Sequence, residues 1–140
     1  MADPVPAARA VMAVAASALR AQQARMRVIA ENMANADSVA TTPGGDPYRR
    51  QIPVFTPSIQ PGGLPGVSMS AVVSDPTPFT NSYQPGHPAA DAKGNVKLPN
   101  VNPLIEALDL KDAQRAYSAN ISVIETQHAM DTATMTLLKQ

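Results

Sequence analysis

Proline and glycine are distributed so unevenly along this chain that they limit where a long helix can form. No proline or glycine occurs between residues 7 and 42 or after residue 103, whereas twelve of the 14 prolines and all 7 glycines lie within residues 43–103. Helix interiors exclude proline and are weakened by glycine, while turns favour both. The sequence therefore predicts three segments: a helical segment with a following turn over residues 1–42, a proline- and glycine-rich insert with short strands over residues 43–103, and a second helical segment over residues 104–140.

A seven-residue apolar repeat runs through the first segment. Its first positions are Val5, Met12, Leu19, Met26 and Met33, and its fourth positions are Ala8, Ala15, Gln22, Ile29 and Ala36. Such repeats are typical of coiled-coil seams, so we expect a helix from about Pro6 to Asn35, ended by Asn35 in a left-handed conformation. The methionines at 12, 26 and 33 fall on this seven-residue repeat, which favours packing over a soft-metal site. Because one helix cannot bury its own seam, the repeat requires a partner.

The last segment carries a matching apolar stripe. Its members are Ala107, Leu110, Gln114, Tyr117, Ile121, Ile124, His128, Asp131, Met135 and Leu138, at spacings of three and four. This spacing predicts a helix that starts at Pro103 and is capped by Asn100 or Asn102. Four arginines and one glutamate lie within residues 7–34, and five acidic residues oppose three basic ones from residue 104 onward. The weak opposite polarity favours pairing of the two ends, within one chain or between neighbours.

The insert contains two short alternating stretches. Residues 52–55 and 67–73 have the pattern of strands, with a turn at residues 61–66, and a further extended piece is expected at residues 79–83. The prolines at positions 76, 78, 85 and 88 predict open chain, which runs extended from residue 86 to residue 103. The predicted fold is therefore mainly α, with two long terminal helices in a coiled-coil-like pair and a small β-hairpin and extended proline-rich insert between them.

Net charge and cysteine content exclude several classes of function. The formal net charge is zero, which gives no field for binding nucleic acid, and the chain has no cysteine for disulfides or thiol catalysis. No apolar run is long enough to span a bilayer, so we expect no direct membrane insertion. A cleaved signal peptide is not expected either, because Asp3 and two prolines stand where a basic leader would lie and the apolar repeat continues to Met33.

Two pairs, His87 with Asp91 and His128 with Asp131, are the most site-like residues of the chain. A metal site usually needs three or four ligands, and a catalytic site needs a nucleophile beside its base, and the sequence completes neither. We therefore expect a turn histidine, a polar patch on a helix, and no catalytic residue, metal or cofactor. The run Tyr48-Arg49-Arg50 could bind an anion, but a solvated or salt-bridged arginine pair is the favoured interpretation.

Four segments together resemble one protein family. They are ENMANADSV at residues 31–39, PYRRQIPVF at 47–55, PGHPAADAKGNVKLPNVN at 85–102 and AQRAYSANISVIET at 113–126. In this order, and over nearly the whole length, they resemble the FlgC family of flagellar basal-body rod proteins, components of the proximal rod. The resemblance implies a non-enzymatic axial subunit that leaves the cell through the type III flagellar export apparatus without a cleaved signal peptide. It further implies polymerisation in the periplasm into the rod that carries torque from motor to hook, with terminal helices that become ordered on assembly.

The resemblance also implies partners: copies of this chain, other flagellar rod proteins, and the basal-body base with its MS ring and export gate. The apolar seams and the positions that match the family together predict a subunit interface. Its members are Met12, Leu19, Met26, Ile29, Asn32, Met33, Asn35, Tyr117, Asn120, Ile121, Ile124, His128, Met135 and Leu138. Two other classes stay open on the residues alone. One is a helical adaptor or export-chaperone-like binding protein that uses the same seams, and the other is a small hydrolase or metal enzyme that uses His87 and Asp91.

Overall fold

Long helices lie at both ends of the chain. The computed structural model describes residues 4–138, with side chains from residue 7 onward, so the side chains of Asp3 and Val5 lie outside the described residues. Helix α1 spans Pro4–Ala34 and helix α2 spans Pro103–Leu137, with 31 and 35 residues. At 1.5 Å per residue these helices are roughly 46 and 52 Å long. Both predicted terminal helices are confirmed.

Side-chain amides satisfy the open backbone groups at the inner ends of the two helices. At the start of α2, the Oδ1 atom of Asn102 accepts hydrogen bonds from the backbone N–H groups of Leu104 and Ile105, at 3.0 and 3.4 Å. Asn102, and not Asn100, is therefore the N-cap. At the end of α1, the left-handed conformation predicted for Asn35 is wrong, because Asn35 does not have a positive φ. Its Nδ2 atom instead donates to the carbonyl oxygen of Glu31 at 2.9 Å.

The middle of the chain forms two small antiparallel sheets, and the predicted fold class is wrong on this point. Strands β1, Gln51–Gln60, and β2, Leu64–Ser74, form one hairpin around Gly62 and Gly63, whose φ angles are 87° and 75°. Strand β3, Thr80–Tyr83, pairs with strand β4, Asn95–Leu98, so that Thr80 faces Leu98 and Tyr83 faces Asn95. The insert is thus not an open, extended, proline-rich chain attached to a single hairpin.

The positions of the prolines explain why they do not prevent these sheets. The prolines at 76, 78, 85 and 88 all lie in the connections outside β3 and β4, where their missing N–H group interrupts no ladder. The prolines at 53, 57 and 65 lie within β1 and β2, and each strand of a two-stranded sheet has one edge that needs no hydrogen bond. Proline content alone therefore overestimated the amount of open chain.

The described residues divide into two compact units. Over the described residues, the first unit comprises residues 4–26, 54–71 and 112–138, and the second comprises residues 27–53 and 72–111. The first unit buries small side chains, namely Ala15, Ser17, Ala21 and Ala113. The second buries Val28, Ile29, Asn32, Ala89, Val96 and Glu106. Neither helix, over the described residues, is long and apolar enough to cross a membrane.

Candidate functional site

A cluster of polar side chains lies in the interior of the second unit, where the last turns of α1 and the first turns of α2 belong to the same core. Asn32, which is 1% exposed, is its centre. The Nδ2 atom of Asn32 donates to the carbonyl oxygen of Gln51 at 2.8 Å and to Oε2 of Glu106 at 3.1 Å. Its Oδ1 atom accepts from the Gln51 N–H at 2.8 Å and from the Tyr48 hydroxyl at 2.9 Å. The amide of Asn32 thus uses all of its hydrogen-bonding capacity within the protein.

Arg50 completes this polar cluster by binding three carboxylates. Its Nε atom lies 2.5 Å from Oε1 of Glu106, and its two terminal nitrogens each lie 3.4 Å from an oxygen of Asp75 or Asp109. Burial disfavours the charged guanidinium, but the hydrogen bonds and charge of Glu106 and Asp75 outweigh it and raise the pKa of Arg50. Glu106 is completely buried, so its carboxylate depends on Arg50 and Asn32 for stabilisation.

Arg49 binds the segment that follows β2. Its Nη1 atom donates to the carbonyl oxygens of Asp75 and Thr77 at 2.9 and 3.1 Å, and its guanidinium lies 4.0 Å from the ring centre of Phe79. The Thr77 hydroxyl and N–H donate to the Asp75 carboxylate and, with Arg50, lower the pKa of Asp75. The salt-bridge interpretation of the two arginines is confirmed at Arg50, and both side chains serve internal partners.

The first unit contains a wide apolar groove between the start of α1 and the end of α2. Its volume is about 810 Å³, and its apolar lining includes Met12, Leu64, Met130, Met135 and Leu138. Met130, Met135 and Leu138 are 59%, 61% and 80% exposed. Every residue from His128 to Leu138 is exposed, so the last turns of α2 have little cover from the rest of the described chain.

A second exposed apolar surface belongs to the second unit. Leu104, Ile105 and Leu108, at the start of α2, are 71%, 50% and 58% exposed. Their spacing of one and four residues places them on one side of the helix, with exposed Lys111 one turn further on. We call these three apolar residues the α2 strip.

The residues predicted to form the subunit interface fall into three groups by burial. Ile29 and Asn32 are buried in the second unit. Half-buried members are Met12, Leu19, Met26, Asn35, Tyr117, Asn120, Ile121 and Ile124, whereas Met33, His128, Met135 and Leu138 are exposed. The first and fourth positions of the α1 repeat also differ in burial. At the fourth position Ala15 and Ile29 are buried, whereas at the first position Met12, Leu19 and Met26 are only partly covered. This pattern fits helices packed at alanines, with part of the methionine edge exposed.

His87 and Asp91, one of the two site-like pairs, bind backbone groups of their own loop. The Nδ1 atom of His87 accepts a hydrogen bond from the Ala89 N–H at 3.0 Å, as a turn histidine does. Asp91 accepts backbone N–H bonds from Lys93 and Asn95 at 2.8 and 2.9 Å, and these bonds lower its pKa. No group of three or more side chains able to hold a metal ion occurs in the described part of the chain.

Sequence reasoning missed both Glu106 and the α2 strip. The signal for the strip was present, because Leu104, Ile105, Leu108 and Leu110 make the first turns of α2 apolar on several sides. Glu106 is the single acidic residue of that first turn and stands among apolar neighbours. Nothing in its sequence position indicates that Arg50, 56 residues earlier, is its partner.

Comparison with known proteins gives matches along the chain. The family described as "Flagella basal body rod protein" matches residues 12–40, and "Flagellar basal body rod FlgEFG protein C-terminal" matches residues 92–137. Flagellar basal-body rod protein FlgC of Agrobacterium fabrum is 42% identical and covers 98% of this chain and 97% of its own length. The FlgC proteins of Yersinia enterocolitica and Salmonella typhimurium are 46% and 45% identical, and each alignment covers 89% of this chain and 92% of the relative.

Both matched regions include helix residues that the structure places in one core: Asn32 lies in the first and Glu106 in the second. Similarity of this extent over nearly the full length of the relatives, together with two helices whose apolar edges are incompletely covered, identifies the chain as a member of the FlgC family of flagellar basal-body rod proteins, a structural subunit of the rod.

Proposed function

We propose that this chain is a non-enzymatic subunit of the proximal rod that assembles in the periplasm through its terminal helices and carries torque from motor to hook. Its partners are copies of the same chain, other flagellar rod proteins and the basal-body base, and it reaches them through the type III flagellar export apparatus without a cleaved signal peptide. The predicted interface residues, from Met12 and Leu19 on α1 to Met135 and Leu138 on α2, contribute to these contacts.

One observation carries this proposal: α2 continues for nine residues after His128, to Leu137, with every side chain exposed. Helix propensity alone rarely stabilises so long an uncovered extension in water, and most helical stability comes from packing of an apolar face. Met130, Met135 and Leu138 supply such a face but have little to pack against in the single chain. Neighbouring subunits would supply the missing cover, so folding of the terminal helices is coupled to assembly.

The experiment compares the free chain with the assembled one. The free subunit at micromolar concentration should show low helicity by circular dichroism and rapid proteolysis of both ends. The same segments should be continuous helices in a map of an isolated basal body. A fully helical, protease-resistant monomer would contradict assembly-coupled ordering and would favour the adaptor or export-chaperone-like alternative, which keeps its helices without neighbours.

The proposed lack of enzymatic activity has its own test. His87 and Asp91 are engaged by backbone groups of their own loop, which supports a structural role for both. The double variant H87A/D91N, expressed in a flagellated host that lacks its own copy, should retain or lose motility in step with incorporation into basal bodies. Normal incorporation with complete loss of motility would point instead to chemistry at this pair.

A further inference from the structure

We infer that the polar cluster around Asn32 holds a preformed helix nucleus, from which both terminal helices extend during assembly. The inner turns, residues 27–34 of α1 and 103–111 of α2, are helical in the free subunit, and only the outer turns, residues 4–26 and 112–137, wait for neighbouring subunits. This inference rests on the proposed assembly through the terminal helices and states which part of each helix precedes it.

The inner turns are held by side chains that are distant in sequence. Asn32 binds Oε2 of Glu106 at 3.1 Å and both backbone groups of Gln51 at 2.8 Å. Arg50 binds the other carboxylate oxygen of Glu106 at 2.5 Å. Ile29 is only 3% exposed, so apolar burial adds to these bonds. All five residues belong to the second unit, so the inner turns have this support within one chain.

Capping and helix-dipole interactions also favour the inner ends of the two helices. Asn102 accepts a hydrogen bond from the Leu104 N–H at 3.0 Å, and Glu106 places its carboxylate in the first turn of α2, where the helix dipole favours negative charge. Asn35 donates to the Glu31 carbonyl at the end of α1. By contrast, the first turn of α1 has no acidic residue and the last turn of α2 has no basic one. The outer ends therefore lack this dipole stabilisation.

The outer turns of α2 have features that weaken an isolated helix. Every residue from His128 to the end of the helix at Leu137 is exposed. Thr132, Thr134 and Thr136 are β-branched, and each hydroxyl donates at 2.9 Å to the carbonyl four residues earlier. β-Branched side chains lose rotamer freedom in a helix, and such back-bonding slightly destabilises it. These turns therefore depend on cover from a neighbour more than the inner turns do.

A preformed nucleus removes the least favourable step of helix formation. Starting a helix is roughly a thousandfold less favourable than adding a residue to an existing one. Because the inner turns supply the start, the outer turns need only add residues as a neighbouring subunit covers them. Helix α2 thus extends from Asp112 towards Leu137, and α1 extends from Met26 towards the beginning of the chain.

Hydrogen exchange of the free subunit at micromolar concentration tests this inference. Amides of residues 31–34 and 107–111 should exchange at least about a hundredfold more slowly than amides of residues 130–137. Equally rapid exchange in both groups, with continuous helices in a map of an isolated basal body, would overturn the nucleus alone. Slow exchange along the whole of both helices would overturn the assembly-coupled ordering of the proposed function.

Two alanines of α2 provide a matched pair of variants. Ala107 lies in the inner turns and Ala129 in the outer turns, and both are exposed, so glycine at either position changes little except helix propensity. A107G should lower the folding equilibrium constant of the free subunit about fivefold in urea titration. A129G should leave this constant within about twofold of the unmodified chain, because its turn is not yet helical, and should lower incorporation into basal bodies at least about twofold.

The two variants separate the possible failures. An A107G subunit that unfolds like the unmodified chain would overturn the nucleus, because its turn could not then be helical before assembly. A free A129G subunit that loses as much stability as A107G would show that the outer turns are already helical, and would overturn the proposed coupling of their folding to assembly.

Discussion

Asn32 donates a hydrogen bond from Nδ2 to Oε2 of Glu106 over 3.1 Å, and both side chains are buried although 74 residues separate them in the chain. This bond connects the last turns of α1 to the first turn of α2. Since the Asn32 amide also binds the backbone of Gln51, the start of β1 is held at the same point. One side chain therefore sets how three elements of the second unit meet.

Replacing Asn32 with alanine should destabilise the second unit by about 2–4 kcal/mol. The variant leaves the Gln51 N–H and the Tyr48 hydroxyl without their acceptor and removes a donor from buried Glu106. Hydrogen exchange at the Gln51 amide reports the loss directly, and urea titration gives its size. The control is N35A, which loses an exposed bond to the Glu31 carbonyl and should change stability by less than about 1 kcal/mol. Equal effects of the two variants would contradict the central role of Asn32.

Replacing Arg50 alone should lower the stability of the fold more than replacing Arg50 and Glu106 together. R50M leaves the fully buried Glu106 carboxylate without its cation, which should destabilise the chain by about 3 kcal/mol. R50M/E106L replaces the pair with apolar groups and should recover part of that loss.

The comparison is made by urea titration, with R115A as the control, because the Arg115–Asp112 pair is 72% and 65% exposed. R115A should change stability by less than about 1 kcal/mol. A double variant that is less stable than R50M would show that the remaining partners of Arg50, and not the charge of Glu106, dominate.

Acid should selectively weaken the stabilisation that the Asp75 carboxylate gives to the folded state. The Thr77 hydroxyl and N–H, followed by Arg50, lower the pKa of Asp75 below its ordinary value of 3.8. A carboxyl whose folded-state pKa is lowered stabilises the fold above its unfolded-state pKa, and this stabilisation is lost as pH falls through the folded-state value. The stability difference between the unmodified chain and D75N should therefore be largest near neutral pH and shrink below pH 3.8.

Urea titrations at several pH values measure this difference. D112N, which alters an exposed pair with Arg115 at 3.7 Å, should change stability at neutral pH by less than about 1 kcal/mol. A gap between the unmodified chain and D75N that stays constant into acid would show that the Asp75 carboxylate is not stabilised in its charged form.

The terminal helices could be predicted from sequence because their signals are local. Proline and glycine avoid both segments, and Asn102 and Pro103 mark the start of α2 within three residues. Strand pairing could not be predicted equally well. β3 and β4 are separated by eleven residues that include Pro85 and Pro88, and only their tertiary position shows that Thr80 faces Leu98.

The polar cluster around Asn32 could not be predicted from the sequence, for a similar reason. The sequence singles out Asn32 through the family resemblance and Arg50 as half of an arginine pair. Their common partner Glu106 lies far from both in sequence, and no periodicity connects them. Apolar faces repeat at regular spacings and can therefore be recognised in a sequence. A specific buried hydrogen bond is formed by single residues whose pairing depends on the completed fold.

The stability of the fold should require glycine at position 94 but not at position 86. Gly94 has a φ of 80°, and an added Cβ atom would come within 3.0 Å of both Pro85 and Tyr83. G94A should therefore lose about 1–3 kcal/mol of stability. An added Cβ atom at Gly86 meets nothing within 4 Å, so G86A should change stability by less than about 1 kcal/mol in thermal or urea unfolding. A loss in G94A as small as that in G86A would show that the turn between β3 and β4 tolerates a left-handed alanine.

Two neighbouring leucines separate the role of the groove from general hydrophobicity at the end of the chain. Leu137 and Leu138 are 72% and 80% exposed, but only Leu138 lines the groove. L138E places a charge where a neighbouring subunit would bury apolar surface, so it should lower incorporation into basal bodies at least about fivefold and impair swimming. L137E adds the same charge one position away and should have the smaller effect.

Neither leucine is covered in the single chain, so both variants should leave the stability of the free subunit within about 0.5 kcal/mol of the unmodified chain. Their difference therefore appears only in the assembled state and measures what a neighbouring subunit contributes at the groove. If L137E reduces incorporation as strongly as L138E, the whole end of α2 is covered in the rod and the groove has no special part in it. If L138E has no effect, the groove stays open to water after assembly, and the burial that we assign to neighbouring subunits must come from another face of the helix.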